Sequence, residues 1–238
     1  MPADAKPIAS VWTRPHHPQR EQLTREQIVA TAIKLLDSDG VEALSMRKLG
    51  ARLGAGATSL YRHVANRDEL VQLAVDDVYG ELDLPASAER TQWRTTVART
   101  AAEVRAMVLR HPWIAPELGQ VGLIHIGPNA TRMTAELLTQ FEAAGFPADE
   151  KHEAAATLMS YVIGIATTEA AYVSLIARSG STERAWVADH SPDFDQDADP
   201  RQLRENRFGY GLDRILDGLA ARLEPGSDRA ARWHGDEG

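Results

Sequence analysis

The stretch Ser45-Met46-Arg47-Lys48-Leu49-Gly50-Ala51-Arg52-Leu53-Gly54-Ala55-Gly56-Ala57-Thr58-Ser59-Leu60-Tyr61-Arg62-His63-Val64 decides how this chain is read. Ser45 is a side-chain cap for a short helix carrying Leu49 and Leu53, and Gly54 supplies the left-handed residue that ends it. Gly54-Ala55-Gly56 is a tight turn. After it, the run from Thr58 to Val64 is long enough for only two helical turns. Two short helices joined this way present the second one to the major groove of DNA. Leu49, Leu53, Leu60 and Val64 fall on the inner face, which turns Arg47, Thr58, Ser59, Tyr61, Arg62 and His63 outward in one neighbourhood. A phenol, guanidinium groups, hydroxyls and an imidazole are poor core material and good groove chemistry. Arg62 suits a guanine edge, Thr58 a thymine methyl, and Tyr61 and Arg67 phosphate. The competing reading is an ordinary solvated helix face.

Upstream, Thr24 and Gln27 form a capping box for a helix whose apolar residues are Ile28, Val29, Ala32, Ile33, Leu35 and Leu36, with Gly40 just past its end. Residues 1–21 hold Pro2, Pro7, Pro15 and Pro18 without helical periodicity, and read as a flexible arm carrying Arg14 and Arg20. Downstream, Asn66 and Glu69 form a second capping box, opening a connecting helix over 68–84 that stops at Pro85. The predicted DNA-binding unit is therefore 22–67.

Charge is divided along the chain in the same way. The net formal charge is -8, which taken alone argues against a polyanionic partner. Residues 41–67, however, carry Arg47, Lys48, Arg52, Arg62 and Arg67 against Glu42 alone, a local +4. Residues 1–40 balance, so 68–238 sum to -12. A basic patch on an acidic body suits a protein that touches DNA with one face.

From residue 85 onward the pattern remains helical. Trp93, Val97, Ala101, Val104 and Val108 recur at helical spacing until Pro112. Pro128 opens a helix over 130–144 that Gly145 ends, and Pro147 opens a longer one reaching about 178. The segment 189–200, Asp-His-Ser-Pro-Asp-Phe-Asp-Gln-Asp-Ala-Asp-Pro, is too acidic to bury and reads as a disordered loop. Helix resumes near Arg201 with the stripe Phe208, Leu212, Ile215, Leu216, Leu219 and Leu223, leaving 225–238 as a polar tail. The predicted fold is all-α: a three-helix head with a helix-turn-helix, and a larger helical ligand-binding and dimerisation domain over 85–224.

Residues 24–84 resemble the head of the tetracycline repressor family. The resemblance runs through Ile28-Val29-Ala30, Leu35-Leu36, the stretch from Gly40 to Leu49, Leu60-Tyr61-Arg62-His63-Val64 and Asn66-Arg67-Asp68-Glu69-Leu70. It implies that Arg47, Thr58, Ser59, Tyr61, His63 and Arg67 stand where the family contacts operator DNA, and that Gly56 and Ala57 stand where members vary their sequence preference. The body is similar to that family's tetracycline-repressor branch. The helix from Phe208 to Leu219 resembles its dimerisation helix, so Phe208, Gly211, Leu212, Ile215, Gly218 and Leu219 are expected to meet a second copy. Gly211 and Gly218 lie seven residues apart, and each mid-helix glycine costs roughly 1 kcal/mol unless something needs the space. Packing within one subunit is the other explanation.

The resemblance implies a small-molecule effector whose identity stays open. Tetracycline-binding relatives place Asn and Phe where this chain has Thr100 and Val104, and a contacting His aligns with Tyr161. Glu169 matches a Glu of the branch, and with a gap allowed His125 matches its metal-contacting His. One His and one Glu do not make a predicted metal site, and no cofactor is expected. The expected pocket adds Trp113, Met133, Leu137, Phe141, Met159 and Tyr172. Each of these residues is equally at home in a core.

The classes set aside are as informative. No phosphate loop, nucleophile elbow or zinc-binding His pair is present, and Asp76-Asp77 or His152-Glu153 point about 100° apart on a helix, which argues against an enzyme. The chain has no cysteine, and no stretch of about 18 uninterrupted apolar residues. The expected partners are double-stranded operator DNA, an unidentified small-molecule effector and a second copy, with no membrane and a cytoplasmic location. The alternative within the same fold is a ligand-independent regulator or an activator.

Overall fold

The computed structural model describes residues 23–84, 90–121, 127–191, 195 and 198–223. The predicted arm, the tail from 225 and His125 lie outside the described residues. Among those described, secondary structure is helical throughout: α1 (Arg25–Asp39), α2 (Met46–Arg52), α3 (Ala57–Leu60), α4 (Arg67–Tyr79), α5 (Trp93–Arg110), α6 (Ala115–Val121), α7 (Pro128–Ala144), α8 (Lys151–Ser179), α9 (Glu183–His190) and α10 (Pro200–Ala220).

The caps follow from the sequence. Thr24 and Gln27 exchange both capping-box bonds at α1, Ser45 accepts from Lys48 N at 3.2 Å on α2, and Asn66 accepts from Glu69 N at 2.8 Å on α4. Gly54 (φ 61°) and Gly145 (φ 101°) take the left-handed conformation expected of them.

Several elements differ from expectation. α3 has four residues, and Tyr61–His63 continue as a tighter turn in which His63 N and Val64 N both donate to Leu60 O. The connecting helix ends at Tyr79, where Gly80 N donates to Asp76 O and Asp77 O, rather than continuing to 84. Both ends of the segment expected to be a disordered loop belong to helices or their caps. Asp189 and His190 close α9, whose cap is Thr182 accepting from Ala185 N, and Asp199 caps α10 through Arg201 N. α6 and α9 are helices that periodicity over long windows does not reveal, because each is too short to repeat.

α1, α2 and α3 close on Leu49 and Leu60, both fully buried, and α4 lays Leu70, Val71, Ala74 and Val78 against α1. In the body, α5, α7 and α10 pack along α8. One continuous core joins the two parts, running from Leu36 and Val78 through Val104 and Phe141 to Leu216. Polar bonds reinforce the junction. Asp37 of α1 accepts from Trp113 Nε1 at 2.7 Å and lies 2.7 Å from His111 Nδ1, while Glu81 lies 3.2 Å from His111 Nε2.

Candidate nucleic-acid interface and the helices that hold it

α2 and α3 are held at a close approach. A Cβ on Gly50 would lie 2.7 Å from Ala55 O, and Ala55 N donates to Gly50 O at 2.9 Å. Gly50 is therefore the residue that lets the second helix fold back on the first, which the reading of the glycine turn missed. On the outer face Arg47, Thr58, Ser59 and Arg62 are exposed, Tyr61 is 52% exposed and His63 is half-buried.

The head's cations divide into two groups. Arg25 pairs with Glu69 at 3.1 Å, and Lys48 and Arg52 share Asp39 at 2.9 and 4.0 Å. Arg67 donates from Nη2 to Val41 O at 2.8 Å and from Nε to Leu44 O at 3.2 Å. Two of its N–H groups are held by carbonyl oxygens, so it ties the start of α4 to the segment before α2. Arg47, Arg62 and Lys34 have no ion pair among the described residues. A groove runs between α1 and α3, lined by Gln27, Thr31 and Lys34 on one side and Ser59, Arg62 and His63 on the other. Residues 27, 31 and 34 are spaced along one polar helix face. That spacing was available in the sequence and was overlooked because α1 was read for its core.

The body residues expected to line a pocket separate into four groups among the described residues. Val104, Met133, Leu137 and Phe141 are core, Met159 packs on it, and Phe141 meets Trp93 and Phe146 edge-on or tilted, with centroids at 6.2 and 5.2 Å. Thr100 is buried with its hydroxyl donating to Thr96 O, and Trp113 serves the junction through Asp37. Tyr161 is committed to its own chain, its hydroxyl donating to Phe208 O at 2.8 Å and its ring stacked on Phe208. Glu169 and Tyr172 line a cleft of about 340 Å³ between α8, α9 and α10 that also takes in Trp186, Leu203, Arg204 and Arg207.

Glu169 is not a free ligand either. Its carboxylate receives Arg105 Nε and Nη2, both at 2.7 Å, and Arg204 Nε at 2.7 Å. Arg105 also donates to Glu205 at 2.7 Å and lies over the Phe208 ring, while Arg204 bonds Glu183. Burial pushes the Glu169 carboxyl up, but hydrogen bonds and charge from Arg105 and Arg204 outweigh it and hold it below the usual carboxylate range. The network joins α5, α8, α9 and α10. Arg105 and Arg204 were missed because an Arg on an amphipathic helix ordinarily reads as solvated. Among the described residues no cluster of His, Asp or Glu is arranged to hold a metal.

The expected dimer residues are also partly turned inward. Phe208 and Leu212 are buried against their own chain, Ile215 and Leu219 are partly buried on the same core, and a Cβ on Gly211 would strike Tyr161. Gly211 thus serves packing within one subunit. Gly218 is open to solvent, on the side of α10 that exposes Leu203, Arg207, Arg214 and Tyr210, the last 68% exposed. The outward face of α8 is Thr157, Ser160, Gly164, Thr168, Ala171 and Leu175.

Comparison with known proteins places this geometry. The model of the tetracyclin repressor-like C-terminal domain matches residues 84–223, and that of the tetR family of bacterial regulatory proteins matches 28–74. The chain belongs to the tetracycline repressor family. It is similar to an HTH-type transcriptional regulator of Saccharopolyspora erythraea, 41% identical over 165 residues that cover 68% of this chain and 69% of the relative. It is also similar to the HTH-type transcriptional repressor DrrR1 of Streptomyces coeruleorubidus, 30% identical over 90% of this chain and 85% of that one. Among solved structures it resembles the TetR family protein ActR of Streptomyces coelicolor in complex with actinorhodin, with a TM-score of 0.70, 28% identity, and coverage of 85% of this chain and 97% of that one. As a family member the chain is a DNA-binding transcriptional regulator and not an enzyme.

Proposed function

We propose that this chain is a homodimeric repressor that holds a pseudo-palindromic operator through two copies of the α2–α3 unit and releases it when a small molecule binds the body. The observation that carries the DNA half is the division of the head's cations: Arg47 and Arg62 have no ion pair among the described residues and lie beside exposed Thr58, Ser59 and Tyr61, while Arg25, Lys48 and Arg52 are paired with carboxylates. Arg62 reads a base edge, Arg47 and Tyr61 bind phosphate, and Lys34 extends the same positive groove from α1. The small-residue face of α8 and the open side of α10 suit close helix packing against a second copy, which sets the two recognition helices about 34–36 Å apart. ActR, solved with actinorhodin, supports an effector in the body. The α8–α9–α10 cleft offers Tyr172, Trp186 and Arg207 to such a molecule. The regulator acts in the cytoplasm, where its operator lies.

Selection from a random DNA pool tests this reading, with recovery of an inverted repeat expected and recovery of no repeat overturning it. On the selected duplex, Arg62→Ala is expected to cost about 1–3 kcal/mol and to relax preference at one position of each half-site. Arg47→Ala weakens all sequences alike and lowers the salt dependence by about one ion per head.

A further inference from the structure

We infer that Asp76 is a positioning residue for the DNA-reading head, which it serves by capping a helix of the body from within the helix that carries the head. α7 begins at Pro128, and its own N-cap residue, Gly127, has no side chain to offer. The cap comes instead from α4. Asp76 Oδ1 accepts from Asn129 N at 3.0 Å and Ala130 N at 3.1 Å, and Oδ2 accepts from Asn129 Nδ2 at 3.2 Å. Asn129 Nδ2 also donates to Asp76 O at 3.1 Å.

Close approach on both sides builds this contact. A Cβ on Gly127 would lie 2.3 Å from the Asp76 carboxylate, and one on Gly80 would lie 3.1 Å from Asn129 Nδ2. A local Ser or Asp at 127 would cap α7 equally well for folding. Supplying the cap from α4 does something more. The same helix grips the head at its first residue, where Arg67 holds Val41 O and Leu44 O, and Asp76 lies nine residues further along, about 14 Å. Helix α4 is thus fastened to the head at one end and to α7 near the other, so this carboxylate joins the Asp37 and Glu81 bonds to His111 and Trp113 in fixing its direction relative to the body.

The role rests on the repressor reading above, because it matters only where two heads must fit two half-sites. The test uses the full chain, with Asp76→Ala removing the cap and Gly127→Ala displacing the carboxylate without touching α4. Hydrogen exchange at Asn129 and Ala130 is expected to accelerate in both. Affinity for the selected palindromic duplex is expected to fall about tenfold, while affinity for an unrelated duplex of equal length stays within about twofold. Asp76→Asn keeps an acceptor for the two amides and is expected to fall between. If Asp76→Ala does not fold, Gly127→Ala and Asp76→Asn carry the test. Faster exchange with undiminished selectivity reduces Asp76 to a cap, unchanged exchange removes the cap itself, and equal losses on both duplexes indicate a damaged head; each overturns the inference. A wild-type chain that recovers no palindrome defeats the repressor reading instead, a result distinct from selective wild type with equally selective variants.

Discussion

Arg105→Ala is expected to lower the unfolding free energy by about 3–5 kcal/mol. Arg105 and Glu169 are 7% and 6% exposed, so removing the guanidinium strands a buried carboxylate rather than exposing it to water. Arg204 remains on Glu169 Oε1 through Nε, but its Nη1 is held by Glu183, and it does not replace the two parallel bonds lost. Glu205 is half-exposed and is solvated at little cost. Urea unfolding of the full chain gives the number, and a change below about 1 kcal/mol would mean that water reaches Glu169. The network also sets a pH dependence. Glu169 has a folded-state pKa below its unfolded value, so its contribution is complete above the unfolded value of about 4.3 and is lost as pH falls through the folded one. Glu169→Gln is expected to flatten stability over that acid range and leave the slope near neutrality unchanged.

This network marks where the sequence ceased to be legible. Helices with long apolar stripes, α1, α5, α7 and α10, stand where periodicity puts them, because their side chains repeat often enough to define a face. The exposed set on α2 and α3 was legible for a related reason: polar and aromatic residues interrupting a core pattern have to point outward. The body was harder. Tyr161, Phe141 and Trp113 carry chemistry that suits a ligand, and nothing local distinguishes a tyrosine that meets a ligand from one that bonds Phe208 O across 47 residues. The partners of Arg105 lie 64 and 100 residues away, a separation no spacing rule reaches. Phe208 and Leu212 were expected to meet a second copy through the resemblance of their helix to a dimerisation helix, and no local pattern shows that both are already buried within their own chain.

Gly50→Val is expected to weaken operator binding by about a hundredfold or more while the body keeps its fold. Three glycines crowd the connection between α2 and α3, and they do different things. Gly54, at φ 61°, supplies a backbone conformation that other residues rarely adopt. Gly56 has an ordinary φ of -71°, and a Cβ there meets nothing within 4 Å. Gly50 is an ordinary helical residue whose Cβ would stand 2.7 Å from Ala55 O and 3.5 Å from Ala57 N. Both atoms are backbone, so neither can rotate away, and a valine adds two further methyl groups to the clash. The strain is relieved only by moving the start of α3 off α2. A four-residue helix has no stability of its own and keeps its direction through packing alone, so Leu60 leaves its pocket and Tyr61 and Arg62 lose their aim together. Gly56→Ala is the matched control: it leaves the fold intact and changes affinity by less than about tenfold, chiefly as a shift in preferred sequence. Binding of the selected duplex by the two variants, with unfolding of each followed by circular dichroism, separates the roles. Near-wild-type binding by Gly50→Val would show that α3 holds its direction without close contact to α2.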